Sequence, residues 1–185
     1  MDKRFKLLKL KEVIVFKPQK LNDSRGFFYE NFNVNDLSKI SSYFFNTVQE
    51  NISKSKLNTL RGLHYQRGQF AQSKIVNVIK GKILDVVVDI RPRSKNFSKW
   101  VSYTLDDKSN ESIFIPSGFA HGFFALEDET IVSYKVDKPY NVNAECSILW
   151  NDKYLNIKWP NNSPLLSLKD KTALTFEENQ NFVNE

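Results

Sequence analysis

The chain has 185 residues, 41% hydrophobic and 14% aromatic, which suits one folded domain over residues 1–185 with a core of its own. A single cysteine, Cys146, excludes an internal disulfide and suits the cytoplasm. The net charge is +6, from 21 lysines and 6 arginines against 21 acids, but the lysines are scattered and no zinc-finger spacing, basic helix or RNA-binding aromatic signature accompanies them, so an anionic small molecule is a better expectation than nucleic acid.

In chain order, Met1–Lys11 is broken by charge every few residues and offers neither a signal-peptide apolar core nor a membrane span. Strands are predicted over Glu12–Phe16, Phe27–Phe32, Thr47–Ile52, Lys74–Ile79, Ile83–Ile90, Trp100–Leu105, Ser112–Ile115, Gly122–Leu126, Ile131–Val136 and Cys146–Trp150. Each is short, rich in Val, Ile, Phe or Tyr, and bounded by Gly, Pro, Asn, Asp or Lys. Lys80-Gly81 reads as a tight turn. Asn33–Ser42 and the stretch from Ser163 to the C-terminus are the helical or irregular candidates. Many short strands at this spacing point to an all-β sandwich or barrel.

Chemistry gathers around the two histidines, His64 in Arg61-Gly62-Leu63-His64-Tyr65-Gln66 and His121 in Pro116-Ser117-Gly118-Phe119-Ala120-His121-Gly122-Phe123. Histidine titrates near neutral pH and is the default proton-transfer group. If Leu60–Gln66 is a regular strand, Arg61 and Leu63 share one face and His64 and Gln66 the other; a bulge at Gly62 would break that parity. Gly62 and Gly122 lie inside apolar runs, where ordinary turns explain them poorly and close backbone approach explains them better.

Two histidines could serve three classes of site. A metal cupin usually offers two histidines one residue apart plus a glutamate; here the pair would be His64 and Gln66, so a metal is not expected. A nucleophilic site lacks the Gly-x-Ser-x-Gly elbow, and Cys146 lies in a strand-like run that suits a small core residue. Proton transfer beside a carbonyl needs a near-neutral base, an acid on the opposite face and a donor for the enolate oxygen. His64 suits the base, a tyrosine the acid, Lys74 or His121 the enolate donor, and Asp170 the partner that orients His64.

Taken together, Asp23-x-Arg25-Gly26-Phe27, Gln49-x-Asn51-x-Ser53, Leu60-Arg61-Gly62-Leu63-His64-Tyr65-Gln66, Ala71-Gln72-x-Lys74, Gly81-x-Ile83-x-Asp85-Val86-x-Val88-Asp89-x-Arg91, Ile115-Pro116-x-Gly118-Phe119-Ala120-His121-Gly122-Phe123, Tyr134-Lys135, Trp150-Asn151-Asp152, Trp159-Pro160 and Leu166-Ser167-x-Lys169-Asp170 resemble the dTDP-4-dehydrorhamnose 3,5-epimerase family. The resemblance runs from about residue 12 to 176. It implies an all-β, cupin-type double-stranded β-helix (jelly roll) with a few short helices, usually a homodimer with strand exchange at the N-terminal end. It implies no metal and no cofactor, no nucleic acid or membrane partner, and a cytoplasmic enzyme of surface-polysaccharide biosynthesis acting on a nucleotide-diphosphate sugar. By the same resemblance His64 is the base, Asp170 its dyad partner, Tyr134 the opposite-face acid, and Lys74 and His121 lie near the keto oxygen and sugar. Arg25, Glu30, Gln49, Asn51, Arg61, Glu145 and Lys169 hold nucleotide or sugar, and Tyr140 stacks on thymine. Three positions depart from the family's usual pattern: the run Val136-Asp137-Lys138-Pro139-Tyr140, Gln69 and Ser109. The activity implied is inversion of carbons 3 and 5 of dTDP-4-dehydro-6-deoxy-D-glucose; inversion of one carbon, ketoisomerisation of a related sugar nucleotide, a metal-dependent oxygenase and a non-catalytic sugar-binding module are the other readings.

Overall fold

A computed structural model describes residues 4–38 and 44–183. Its strands are β1 (Phe5–Leu7), β2 (Ile14–Phe16), β3 (Lys20–Asp23), β4 (Gly26–Tyr29), β5 (Gln49–Ser55), β6 (Leu60–Gln66), β7 (Lys74–Lys80), β8 (Lys82–Asp89), β9 (Trp100–Asp106), β10 (Ser112–Ile115), β11 (Phe119–Ala125), β12 (Thr130–Val136) and β13 (Glu145–Ser147). The helices are α1 (Val34–Ser38), α2 (Leu168–Lys171) and α3 (Phe176–Val183). Every paired strand is antiparallel. One sheet runs β1-β2-β10-β7-β12-β5, the other β13-β6-β11-β8-β9, and β3–β4 form a separate hairpin. This is the two-sheet arrangement of a jelly roll, as expected.

Side-chain alternation builds the layers. Val15, Val76, Val78, Ile113, Ile115 and Val132 of the six-stranded sheet, with Val13 just before β2, meet Ile83, Val87, Val101, Leu105, Phe119 and Phe123 of the five-stranded sheet in one buried cluster between the sheets. The residues between them point outward and are also covered. Val86, Val88, Ala120, Leu63 and Tyr65 pack under the C-terminal segment through Ile148, Leu155, Ile157 and Phe176. Ile14, Ile75 and Phe114 pack under Leu37 of α1 and Phe45. Both faces of the central strands are buried, so β8 reads as an apolar run rather than as an alternating one.

Most elements fall where the sequence placed them, with different ends. The Lys80-Gly81 turn joins β7 to β8, with Gly81 at φ +87°. The second predicted strand begins one residue earlier and stops at Tyr29, and the last closes at Ser147 with an isolated bridge from Ile148 to Leu174. The Asn33–Ser42 candidate yields α1 as far as Ser38; its remainder lies outside the described residues. The C-terminal candidate holds α2 and α3. Strands β1, β3 and β6 are additions to the predicted ten: β1 is a charge-flanked edge strand on β2, β3 is a polar half of a two-stranded hairpin, and β6 turns the conditional strand around His64 into a real one.

Candidate active site

Between the sheets, where the apolar core gives way to polar side chains, lies a cavity of about 310 Å³. The inward parity of the strands supplies its lining: Lys74 from β7 continues the Val76–Val78 row, Tyr134 from β12 continues Val132, and His121 from β11 lies between Phe119 and Phe123. His64 and Arg61 come from β6 and also line it. Three residues apart, they share a side because β6 bulges. His64 pairs with His121, but Arg61 pairs with Phe123, so Gly62 and Leu63 together oppose Gly122. Leu63 thereby turns into the outer core. The unbulged parity, which put Arg61 with Leu63, does not hold.

The bulge depends on a glycine pair. A Cβ on Gly62, at φ +121°, would lie 2.6 Å from Gly122 Cα and 2.8 Å from the His121 carbonyl oxygen, and a Cβ on Gly122 would lie 2.8 Å from the Arg61 carbonyl oxygen. Two backbones meet where side chains would hold them apart, which brings both histidines to the same cavity.

Each histidine is held by a buried carboxylate. His64 Nε2 lies 2.6 Å from Asp170 Oδ1, and Asp170 is 3% exposed. The Ser167 hydroxyl donates to Asp170 Oδ2 at 2.8 Å and accepts from the Asp170 backbone N–H at 3.1 Å, capping α2. A carboxylate only accepts, so His64 Nε2 carries the hydrogen and Nδ1 keeps a free lone pair. Burial lowers the His64 pKa below its ordinary value; the hydrogen bond and charge of Asp170 oppose this, and Lys169 and Lys74 reinforce it. The ring is therefore neutral at neutral pH. Burial works to raise the Asp170 carboxyl and is outweighed by His64, Ser167 and Lys169, which hold it below the usual carboxylate range. The second pair is His121 Nε2 with Asp85 Oδ2 at 2.7 Å. Asp85 is fully buried and points inward with Ile83 and Val87.

Lys74 reaches across from the other sheet, its Nζ 3.5 Å from the His64 carbonyl oxygen. Burial pushes its pKa down to about 8 against the pull of Asp85 and Glu145, with Lys169 adding to the depression. Tyr134 belongs to the six-stranded sheet and pairs with Asn51 of β5. Burial raises its phenol, Arg61 works against that and Glu145 adds to it, so the phenol keeps its proton at neutral pH.

The rim is a chain of polar contacts. Gln49 donates to Asn51 Oδ1 at 2.8 Å and accepts from the Tyr140 backbone N–H at 3.2 Å. The Tyr140 hydroxyl donates to Glu145 at 2.9 Å, and Lys169 forms an ion pair with the same carboxylate. Arg61 is anchored on Ser55 Oγ at 3.1 Å and the Lys54 carbonyl at 3.0 Å.

His64, Lys74, Tyr134, Asp170, Asn51, Arg61, His121, Tyr140 and Glu145 thus line one cavity, with Gln49 and Lys169 bonded to lining residues. Arg25 and Glu30 do not. The Arg25 side chain is 88% exposed on the β3–β4 hairpin, paired with Asp23 at 2.6 Å. Glu30 accepts from Asn33 and lines a separate cavity with Phe28 and Asn31. Two contributors escaped sequence reasoning. Asp85 carried a signal, a lone carboxylate inside the apolar run Ile83–Val88. Ser167 carried another, Ser-x-x-Asp at a helix start. Among the described residues no three His, Cys, Asp or Glu side chains converge as metal ligands would.

The family model for dTDP-4-dehydrorhamnose 3,5-epimerase matches residues 7–178. The Escherichia coli K12 protein of that name is 44% identical over 170 residues, 91% of this chain and 92% of that one. The crystal structure of dTDP-4-dehydrorhamnose 3,5-epimerase from Elizabethkingia anophelis superposes with a TM-score of 0.90 at 38% identity, over 96% of this chain and 99% of that one. The Legionella pneumophila dTDP-6-deoxy-D-glucose-3,5-epimerase, solved in complex with dTDP-4-keto-L-rhamnose, superposes at 0.89 with 37% identity, over 94% and 92%. Sequence and fold agree, and the chain belongs to the dTDP-4-dehydrorhamnose 3,5-epimerase family.

Proposed function

We infer that this isomerase inverts carbons 3 and 5 of dTDP-4-dehydro-6-deoxy-D-glucose, giving dTDP-4-dehydro-L-rhamnose. The observation that carries the reading is that an uncharged imidazole with a buried carboxylate behind it and a protonated phenol enter one cavity from opposite sheets. Carbons beside the 4-keto group are acidified by enolate resonance. His64 Nδ1 takes the proton, the electron pair passes to the keto oxygen, and Lys74 donates to that oxygen, while His121, its Nε2–H held by Asp85, contacts the sugar. Tyr134 returns a proton to the other face and is re-protonated from solvent; His64 gives its proton to water. The net change is stereochemical and redox-neutral, so the reaction calls for no cofactor. A donor on the developing oxyanion is worth about 3–4 kcal/mol, and a placed acid or base about 10²–10⁴-fold.

We also propose that the chain works as a single domain in a cytoplasmic homodimer. The β3–β4 hairpin exposes Leu21, Phe27 and Phe28. It carries Arg25 away from its own cavity, although Arg25 matches a nucleotide-binding position. A second copy that receives this hairpin would gain both the apolar contact and the arginine. Its guanidinium fork suits a diphosphate.

The test is solvent exchange. Incubated in heavy water with dTDP-4-dehydro-6-deoxy-D-glucose, the protein incorporates deuterium at carbons 3 and 5 and yields the L-rhamnose configuration. Incorporation at neither carbon overturns the reading, and incorporation at one alone reduces it to a mono-epimerase.

A further inference from the structure

Gln66 stands on β6, where a metal-binding cupin would carry its second histidine, and it lines the cavity. It is 7% exposed. Its side chain is fully engaged by two loops. The amide Nε2 gives one hydrogen to the Phe70 carbonyl at 3.0 Å and the other to the Pro139 carbonyl at 3.2 Å. Its Oε1 accepts the Asn141 backbone N–H at 2.7 Å. Two carbonyls on one end and an N–H on the other fix which end is the amide nitrogen. Both donors are spent inside the protein, so Gln66 has no hydrogen left to offer a ligand.

Two of those three bonds bracket Tyr140, one residue before it and one after. The segment that carries Tyr140 is tied to the β6–β7 connection by further bonds: Asp137 accepts the Ser73 N–H at 2.7 Å, and Gln72 donates to the Lys138 carbonyl at 2.8 Å. These ties lie to the N-terminal side of Pro139, and neither grips Tyr140 from beyond it. The Tyr140 ring itself is half exposed at the rim, held through its hydroxyl by Glu145 and through its N–H by Gln49. A ring so exposed has little packing to fix it, and its backbone must be set from outside.

We propose that Gln66 is a positioning residue for nucleotide recognition: it clamps the backbone on both sides of Tyr140 and so sets the ring as a platform for the base. The proposal rests on the reading of Tyr140 as the base-stacking residue.

The experiment is a double-mutant cycle on dTDP binding, measured by calorimetry on folded, full-length protein, with thermal melts as the fold control. Tyr140→Ala and Gln66→Leu should each weaken dTDP binding, Gln66→Leu by about tenfold. In the Tyr140→Ala background, Gln66→Leu should cost less than about twofold, because the residue it positions is gone. A second variant adds a readout that general loosening does not give. In Gln66→Glu an ionised carboxylate accepts from Asn141 but repels the Phe70 and Pro139 carbonyls; protonated, it regains one donor. Glu145, its neighbour across the β6–β13 register, and the nearby His64 and Lys74 titrate in every variant. Affinity is therefore read as the ratio to wild type at each pH. That ratio should recover for Gln66→Glu on going from pH 8 to pH 5.5 and stay flat for Gln66→Leu. If Gln66→Leu does not fold, Gln66→Glu carries the same cycle. Wild-type affinity in Gln66→Leu, or a penalty that adds in full to that of Tyr140→Ala, overturns the proposal while leaving the reading of Tyr140 intact. Wild-type affinity in Tyr140→Ala overturns that reading, and the proposal falls with it.

Discussion

Asp170→Asn is the sharpest test of the proton-transfer reading, because it keeps the shape of the side chain and removes its charge. Asp170 is buried, bonded to His64 at 2.6 Å and to Ser167 at 2.8 Å. A hydrogen bond to a charged group contributes about 1.5–3 kcal/mol, so losing it from the imidazolium-forming step alone slows the reaction about 10- to 150-fold. Asparagine adds a second fault. Its amide can donate to Nε2, which places the ring hydrogen on Nδ1 and removes the lone pair that faces the cavity. The same exchange behind a catalytic histidine in a serine protease costs about 10⁴-fold. The expected loss of the kcat/KM plateau is therefore about 10²–10⁴-fold, measured as deuterium wash-in at carbons 3 and 5 by mass spectrometry, with dTDP affinity retained. The pH profile separates orientation from ionisation. Activity rises with pH as His64 loses its proton, and burial already holds that limb below the ordinary histidine value. Removing Asp170 removes the two contributions that raise it, so the limb moves to still lower pH while the plateau falls. A plateau within about fivefold of wild type, or a limb that moves up, refutes the assignment.

Tyr134→Phe removes the opposite-face acid but not the base: deuterium exchange should persist while formation of the inverted product falls about 10²–10⁴-fold, and equal loss of both by mass spectrometry and NMR would count against the role. Lys74 should set the alkaline limb, with kcat/KM falling above about pH 8 as its ammonium deprotonates; Lys74→Arg, charged throughout, should abolish that limb, and a limb unmoved in the variant assigns it elsewhere. Gly62→Ala forces a Cβ to within 2.6 Å of Gly122 Cα at a positive φ, and should lower stability by about 1–3 kcal/mol or more in denaturant melts, with the histidines displaced and exchange reduced. Arg25→Ala and His64→Ala proteins, each inactive alone, should regain activity when mixed and allowed to exchange subunits, since one site in the mixed dimer then has both its own His64 and its partner's arginine; no recovery despite demonstrated exchange removes the shared-site reading.

What the sequence disclosed follows from where the fold is regular. Ser112–Ile115 and Trp100–Leu105 were legible because strand periodicity and breakers coincide there. Strand β1 was not, since an edge strand needs one apolar contact and its Phe5 sits among charges. The face of Arg61 was not legible either: parity holds only for an unbulged strand, and one extra residue at Gly62 reverses it. His64, Lys74, Asp170 and Tyr134 are named from residue chemistry and family likeness, yet their meeting requires four elements, β6, β7, α2 and β12, from distant parts of the chain. Asp85 and Ser167 are less legible, because an orienting residue acts through another side chain rather than on a ligand. Arg25 and Glu30 sit outside the cavity of their own chain, and no pattern within one chain tells where a second copy begins.

The stereochemistry follows from the architecture. Inverting a carbon requires a proton to leave one face and return to the other. Side chains on one face of one sheet all point the same way and would approach a bound sugar from one side. Here the imidazole stands on the five-stranded sheet and the phenol on the six-stranded sheet, and both line the cavity between them. Lys74, on the phenol's sheet, reaches across to within 3.5 Å of the His64 carbonyl oxygen, which brings a cation into the cavity that the imidazole and the phenol line. The same geometry makes register decisive. Slipping β12 by one residue would turn Tyr134 out of the cavity and bring in Ser133 or Lys135; neither replaces it, since a serine hydroxyl is too weak an acid and Lys135 is bound to Glu50 on the outer side. The seven-residue pairing of β12 with β5, which sets Tyr134 opposite Asn51, is thus what aims the phenol into the cavity.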